Sequence, residues 1–401
     1  MTRFKLETAL AVLFAAAIML AGGAAFYFFS TTSVHTGPET VPSTSAITPP
    51  GRYAGTVEET RRLARTLVVE ENLPSLSIAV AHDGQTVWAE SFGWADVDSR
   101  TPATPDTRFR LGSVSKTLTA AAAGLLHDRG RLDLDAPVQQ YVTTYPQKQW
   151  AVSTRQLMGD VGGVHHLRGD EERLPDRHCT NLGEALPIFA NDPLLFRPGT
   201  AYRYSIYGWI LTSAVIEAAA GQPFASFMTR EVFEPLGMEH TRLDDLEDVA
   251  GRASLYFPRT SLRTELGLQE APEADYSCWA GAAVFQSTPS DMVRFGAAML
   301  KPGLLTAQTI ALLKTPLTLE SGASTGFALG WKAERIQSAG TTVQVLSHRG
   351  NPMGGSISLI LVPEFNLAIA AFSNVSHAKG VAPFALKVAE AFSQPATQPA
   401  R

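Results

Sequence analysis

Strand-forming runs lie at both ends of this chain and helix-forming runs lie between them, and that order constrains the fold more than any single motif. Residues 56–71 carry apolar side chains at helical spacing, with arginines on one face. Short apolar runs at 76–80 and 86–89 follow, separated by Asp83-Gly84, a pair suited to a two-residue hairpin loop, and a third run covers 90–94. Toward the other end, 343–346, 356–362 and 367–372 read as strands, and 381–392 reads as an amphipathic helix. The intervening 132–239 reads as helices and loops, including a buried helix at 210–220 closed by Gly221. Strands so far apart in sequence share a sheet only if the two ends of the body come together. The expected class is therefore α+β: an antiparallel sheet flanked by the terminal helices, a mostly helical lobe, and a cleft between them for the reactive groups.

At 401 residues and 45% apolar content, the chain can build one large or two ordinary domains. The net charge of −5 and the lack of any basic run argue against nucleic acid as a partner. Arg3 and Lys5 precede an uncharged apolar run at 8–29, long enough to span a bilayer as a helix. The flanking cations favour an N-terminus left inside and a catalytic body exported to the periplasm or beyond the cell. Cleavage near Gly23-Ala24-Ala25 would instead release a secreted protein, but Phe26-Tyr27-Phe28-Phe29 extends the apolar span and favours an uncleaved inner-membrane anchor. Residues 30–55 are rich in Ser, Thr and Pro and read as a flexible linker. The catalytic body is then 56–392, followed by a disordered tail at 393–401. Cys179 and Cys278 are the two cysteines; independent thiols are the simpler expectation, because spacing does not establish the approach a disulfide needs.

Chemistry enters at Phe109-Arg110-Leu111-Gly112-Ser113-Val114-Ser115-Lys116. If this stretch opens the Ala- and Leu-rich helix at 117–126, Ser113 and Lys116 share one face on adjacent turns. A desolvated, neutral lysine can take the proton that makes a serine hydroxyl nucleophilic. The helix N-terminus adds free N–H groups that favour developing negative charge.

The downstream segments make the pattern specific. Thr104-Pro105-Asp106-Thr107-Arg108-Phe109 precedes the nucleophile, Phe196-Arg197-Pro198-Gly199 precedes Tyr204-Ser205-Ile206, and Glu234-Pro235-Leu236-Gly237-Met238 follows. Gln286-Ser287-Thr288-Pro289-Ser290-Asp291-Met292 and Leu329-Gly330-Trp331 come next, then His348-Arg349-Gly350. Over residues 56–374 the chain resembles the serine β-lactamase-related superfamily. The nearest branches are the class C β-lactamases, the D-alanyl-D-alanine carboxypeptidases and the mitochondrial β-lactamase-like protease. The resemblance implies catalysis by Ser113, Lys116 and Tyr204, with the phenol acting partly as phenolate or as a proton shuttle. It implies an oxyanion hole from the N–H groups of Ser113 and Asn351. His348 becomes a polar or cationic wall of the cleft, Gly350 a point of close backbone approach, and Arg349 a carboxylate ligand where it faces the cleft.

Two departures shape the expectation. Ile206 stands where β-lactam-opening members place an asparagine amide, and its side chain makes no hydrogen bonds. Asp160 stands where a loop of the family carries a histidine, to which no catalytic part is given. His165, His166, His178 and Cys179 fall near one another without a recognised metal spacing, so neither metal nor cofactor is expected. The expected protein is a serine hydrolase of the cell envelope acting on a small peptide or ester. The alternatives are a penicillin-binding or β-lactam-hydrolysing protein, and a catalytically weak scaffold of the same fold.

Overall fold

The computed structural model describes residues 12–20, 22–23, 33–168, 177–246, 249–260, 262–338 and 341–394. Its main sheet contains β1 (Ser43–Ser45), β2 (Ser75–His82), β3 (Gln85–Asp96), β4 (Lys332–Ser338), β5 (Thr341–Gly350), β6 (Ser356–Val362) and β7 (Leu367–Ser373). The strands run in the order β1-β3-β2-β7-β6-β5-β4, and every neighbouring pair is antiparallel. The join between the two ends of the body is β2 against β7, with Ala79 opposite Ala370. At the hairpin between β2 and β3, Asp83 and Gly84 both take positive φ (54° and 81°), as the expected tight turn requires.

Side chains alternate across the sheet and so build two cores. Ile78, Val80, Ile360, Val362 and Ile369 face helices α1 (Ala54–Glu70) and α5 (Val381–Ser393), which contribute Val57, Ala64, Val68, Phe384, Val388 and Phe392. Ala79, Ala81, Leu359, Leu361, Ala368 and Ala370 face the other way, into a core shared with α2 (Ser115–Asp128), α3 (Ile206–Ala220) and α4 (Pro289–Ala298). The alanines on this face let α4 lie close. A Cβ at its Gly296 would stand 2.7 Å from Leu361 Cδ2 and 2.8 Å from the Ala368 Cβ. The α+β architecture expected from the sequence is thus the one observed, with the helical lobe between β3 and β4.

Some expectations are corrected. The separate third strand at 90–94 is the continuation of β3, and β4 is a strand that the sequence reading had left unassigned. The linker at 30–55 is ordered from residue 33 onward. Ser43–Ser45 pairs with β3 as an edge strand, Val41 is 2% exposed, and the Val34 N–H donates to Asn72 Oδ1 at 2.7 Å. An edge strand is held by backbone pairing, so a Ser/Thr-rich stretch forms one with little apolar burial. Of the expected membrane segment, residues 12–20 and 22–23 are helical, and the remainder lies outside the described residues together with Arg3 and Lys5. Among the described residues no helix is long and apolar enough to cross a membrane. Of the expected tail, Ser393 ends α5 and residues 395–401 lie outside the described residues.

Candidate active site

Ser113 sits in a tight 3-10 turn, Gly112–Val114, that feeds directly into α2. Gly112 enters the turn at φ 51°, and a Cβ there would stand 2.7 Å from Pro352 Cδ, so glycine is required by both conformation and space. Lys116 lies on the first turn of α2 and is wholly buried. Its Nζ is 3.1 Å from Ser113 Oγ and donates to the Ala282 carbonyl at 2.7 Å. Tyr204 arrives from the start of α3, where Ser205 caps the helix by accepting the Gly208 N–H at 2.9 Å. Its Oη is 2.6 Å from Ser113 Oγ, and Lys116 Nζ lies 5.0 Å from the centroid of its ring. Three side chains from two distant segments therefore converge on one oxygen.

Burial controls the charges of this cluster. It pushes Lys116 down to about 7, a shift that the negative charge of Asp160 partly opposes. Burial raises Tyr204 above the ordinary phenol range; the Ser113 hydrogen bond opposes this and the Asp160 charge adds to it. Burial thus favours the protonated phenol, which speaks for the shuttle rather than the partial phenolate. His348 is pushed down to about 4 by burial and then by the charge of Lys116. Its Nδ1 lies 2.8 Å from the Gly330 carbonyl, which only accepts, so Nδ1 carries the proton and Nε2 is an acceptor. His348 is thus favoured as a neutral rather than a cationic polar wall.

The end of β5 closes the opposite side. A Cβ on Gly350 would overlap the Leu111 carbonyl, so only glycine lets this strand reach the nucleophile turn. Asn351 follows and lines the cleft with Ser113, while Arg349 is exposed at the mouth. Ile206 is 5% exposed and forms part of the wall. The cleft has a volume of about 1000 Å³, and Tyr202, Trp209, Trp279, Phe327 and Trp331 give it a largely aromatic lining. Tyr202 and Phe327 stack at 4.7 Å.

Several participants escaped the sequence reading. Asp160 is buried in the cleft wall, and the only hint of it was an acidic residue where the family loop has a histidine. The His166 ring meets the Tyr204 ring edge-on at 5.3 Å, and its Nδ1 accepts the Ile206 N–H at 3.3 Å. The neighbouring histidines go elsewhere: His165 Nε2 lies 2.6 Å from Asp192 Oδ2, and His178 Nδ1 lies 2.7 Å from Asp275 Oδ2. Among the described residues no group of side chains is arranged to hold a metal ion. Cys179 and Cys278 form a disulfide, with Cα atoms 4.9 Å apart, which replaces the expectation of independent thiols. The bridge ties down the Ser277–Ala282 turn, which carries both Trp279 and the carbonyl that receives Lys116.

Known proteins resemble this chain in sequence and in fold. The serine beta-lactamase-like protein LACTB, mitochondrial, of Homo sapiens is 29% identical over 404 residues, covering 78% of this chain and 73% of its own length. Penicillin-binding protein 4* of Bacillus subtilis (strain 168) is 25% identical over 338 residues, covering 81% of this chain and 74% of its own. Among solved structures, EstCE1, a hydrolase with promiscuous acyltransferase activity, superposes with a TM-score of 0.72 at 20% identity, over 84% of this chain and 98% of that one; this likeness bears on the fold. The family model described as Beta-lactamase matches residues 60–391. On that span the chain belongs to the beta-lactamase family, the serine hydrolases of the β-lactamase fold.

Proposed function

We propose that this protein is a serine hydrolase that forms an acyl-enzyme on Ser113, acting on a small peptide or ester with an apolar acyl group in the cell envelope. The observation that carries this reading is that Ser113 Oγ lies within hydrogen-bonding distance of both Tyr204 Oη (2.6 Å) and Lys116 Nζ (3.1 Å). The Ser113 oxygen accepts the Tyr204 O–H, while the lone pair of a neutral Lys116 takes the Ser113 proton as Oγ bonds to the substrate carbonyl carbon. The backbone N–H groups of Ser113 and Asn351 hold the tetrahedral oxyanion, where loss of one such donor typically costs ~3 kcal/mol. Tyr204 then gives its proton to the leaving oxygen or nitrogen as that bond breaks, and the Lys116 ammonium restores it. Water repeats the sequence on the acyl-enzyme, with Lys116 taking its proton, and releases the acid.

The aromatic cleft and the isoleucine at 206 support an apolar acyl group. A β-lactam acylamino chain would find no side-chain amide there. The cations at 3 and 5, the apolar run at 8–29 and the Cys179–Cys278 disulfide support an exported, membrane-associated location. The test is covalent labelling of the full chain by a fluorophosphonate probe. The wild type is labelled and Ser113→Ala is not; undiminished labelling of Ser113→Ala would sink the assignment.

A further inference from the structure

Tyr204 has no covalent reason to sit where it does, because it lies on an irregular stretch just before α3. What fixes it is the loop at 160–166. The Arg203 N–H donates to the Asp160 carbonyl at 2.8 Å, and the Ser205 N–H donates to Asp160 Oδ1 at 3.1 Å. One residue thus holds the amides on both sides of the phenol. Asp160 does this from φ 57°, the left-handed region where Asp and Asn are the usual non-glycine occupants. The same loop supplies the His165 carbonyl to Ser205 Oγ at 2.7 Å and the His166 ring to Tyr204.

The carboxyl also acts across the cleft. It is buried, and it lines the same cavity as Ser113 and Tyr204. Lys116 and Asp160 feel each other's charge: Asp160 raises Lys116, and Lys116 lowers Asp160 against the stronger upward push of burial, which leaves the carboxyl at about 7. The titratable groups facing this corner are Lys116 on α2, His166 on the loop that carries Asp160, Tyr202 and Tyr204 ahead of α3, and His348 on β5. Both phenols are raised by burial and His348 is neutral above about 4, whereas Lys116 and Asp160 both change charge near neutral pH.

We propose that Asp160 is a positioning residue for the acyl transfer, clamping the two amides that flank Tyr204 and placing a carboxylate in the same cleft as Lys116. The proposal rests on the hydrolase reading, and it separates into two parts that different substitutions remove. Asp160→Asn keeps an acceptor for the Ser205 N–H and tolerates the backbone conformation, but carries no charge. Asp160→Ala loses both the acceptor and the charge.

The experiment measures the second-order rate of Ser113 labelling by a fluorophosphonate probe between pH 5 and 10, on the full chain, with thermal melting as the check on folding. In the wild type the rate falls toward acid with its half-point near the lysine value of about 7. In Asp160→Asn the half-point moves down by about 1 pH unit, since loss of the negative charge destabilises the ammonium. In Asp160→Ala the alkaline plateau lies roughly 10- to 100-fold below that of Asp160→Asn, the scale expected when a reacting group is displaced by about 1 Å. An unmoved half-point in a folded Asp160→Asn removes the charge part of the proposal while leaving the hydrolase reading intact, because Ser113 is still labelled. Equal plateaus for the Asn and Ala variants remove the side-chain half of the clamp, the hold on the Ser205 amide, since the backbone carbonyl that holds Arg203 is common to both. A wild type that takes no label removes the hydrolase reading and this proposal together.

Discussion

At Tyr204 two proton transfers can be told apart. On the proposed mechanism burial keeps the phenol protonated, so it acts as a donor to Ser113 and then to the leaving group, while Lys116 is the group that accepts. A leaving group that departs as a stable anion needs no such donor. Tyr204→Phe is therefore expected to lower kcat/KM, which reports acylation, by roughly 10²- to 10⁴-fold on an alkyl ester or an amide, and by less than about 10-fold on a p-nitrophenyl ester. Steady-state kinetics on the two substrate types measures this, and equal losses on both would mean that the phenol orients the serine instead of protonating the leaving group. Ser113 and Lys116 were legible in the sequence because three residues on a helix fix their separation, and Tyr204 was legible through its flanking motif. Asp160 was not, because the groups it acts on, Lys116, Arg203 and Ser205, lie more than forty positions away along the chain and meet it only once the 160–166 loop has packed against the start of α3.

At the scale of elements, the Ser277–Ala282 turn shows how an irregular segment is made reliable. It presents the Ala282 carbonyl to Lys116 Nζ at 2.7 Å and Trp279 to the cleft, yet its backbone is interrupted at Ala280. The Cys179–Cys278 bridge anchors it, and the Cys179 N–H donates to Ser277 Oγ at 2.9 Å beside it. The sequence could not reveal this pairing, since a separation of 99 residues says nothing about where two irregular loops meet. A bridge closing a loop of that size restricts the unfolded chain by about 4–5 kcal/mol in the chain-entropy treatment. Replacing both cysteines by serine is expected to lower the unfolding free energy by roughly 2–5 kcal/mol, read from urea unfolding followed by tryptophan fluorescence. A double variant within about 1 kcal/mol of the wild type would show that packing, not the bridge, anchors the turn.

At the scale of the whole molecule, the sheet was legible as an idea and only partly as a register. Alternating apolar runs announced β2, β5, β6 and β7, because those strands are buried and their side chains must sort between two faces. The edge strands β1 and β4 escaped, since each has a strand on one side only and few apolar side chains, Ala333 and Ile336 in β4, to set a pattern. The same topology makes the body depend on its last segment. β7 is hydrogen-bonded to both β2 and β6, and it supplies Leu367, Ile369 and Ala371 to one core and Ala368, Ala370 and Phe372 to the other. The helix α5 that follows covers the first of these cores with Phe384, Val388 and Phe392. A chain ending at Val362 would leave β2 and β6 as two unpaired apolar edges, a template for aggregation. It would also strip α1 of its neighbour on the sheet. Such a truncation is expected to give no sharp thermal transition and rapid proteolysis throughout, with no fluorophosphonate label on Ser113, although every side chain of the serine–lysine–tyrosine cluster is still present. A truncated chain that melts cooperatively and takes the label would mean that the helical lobe and the nucleophile turn fold without β7, and that the two ends of the body need not meet for the site to form.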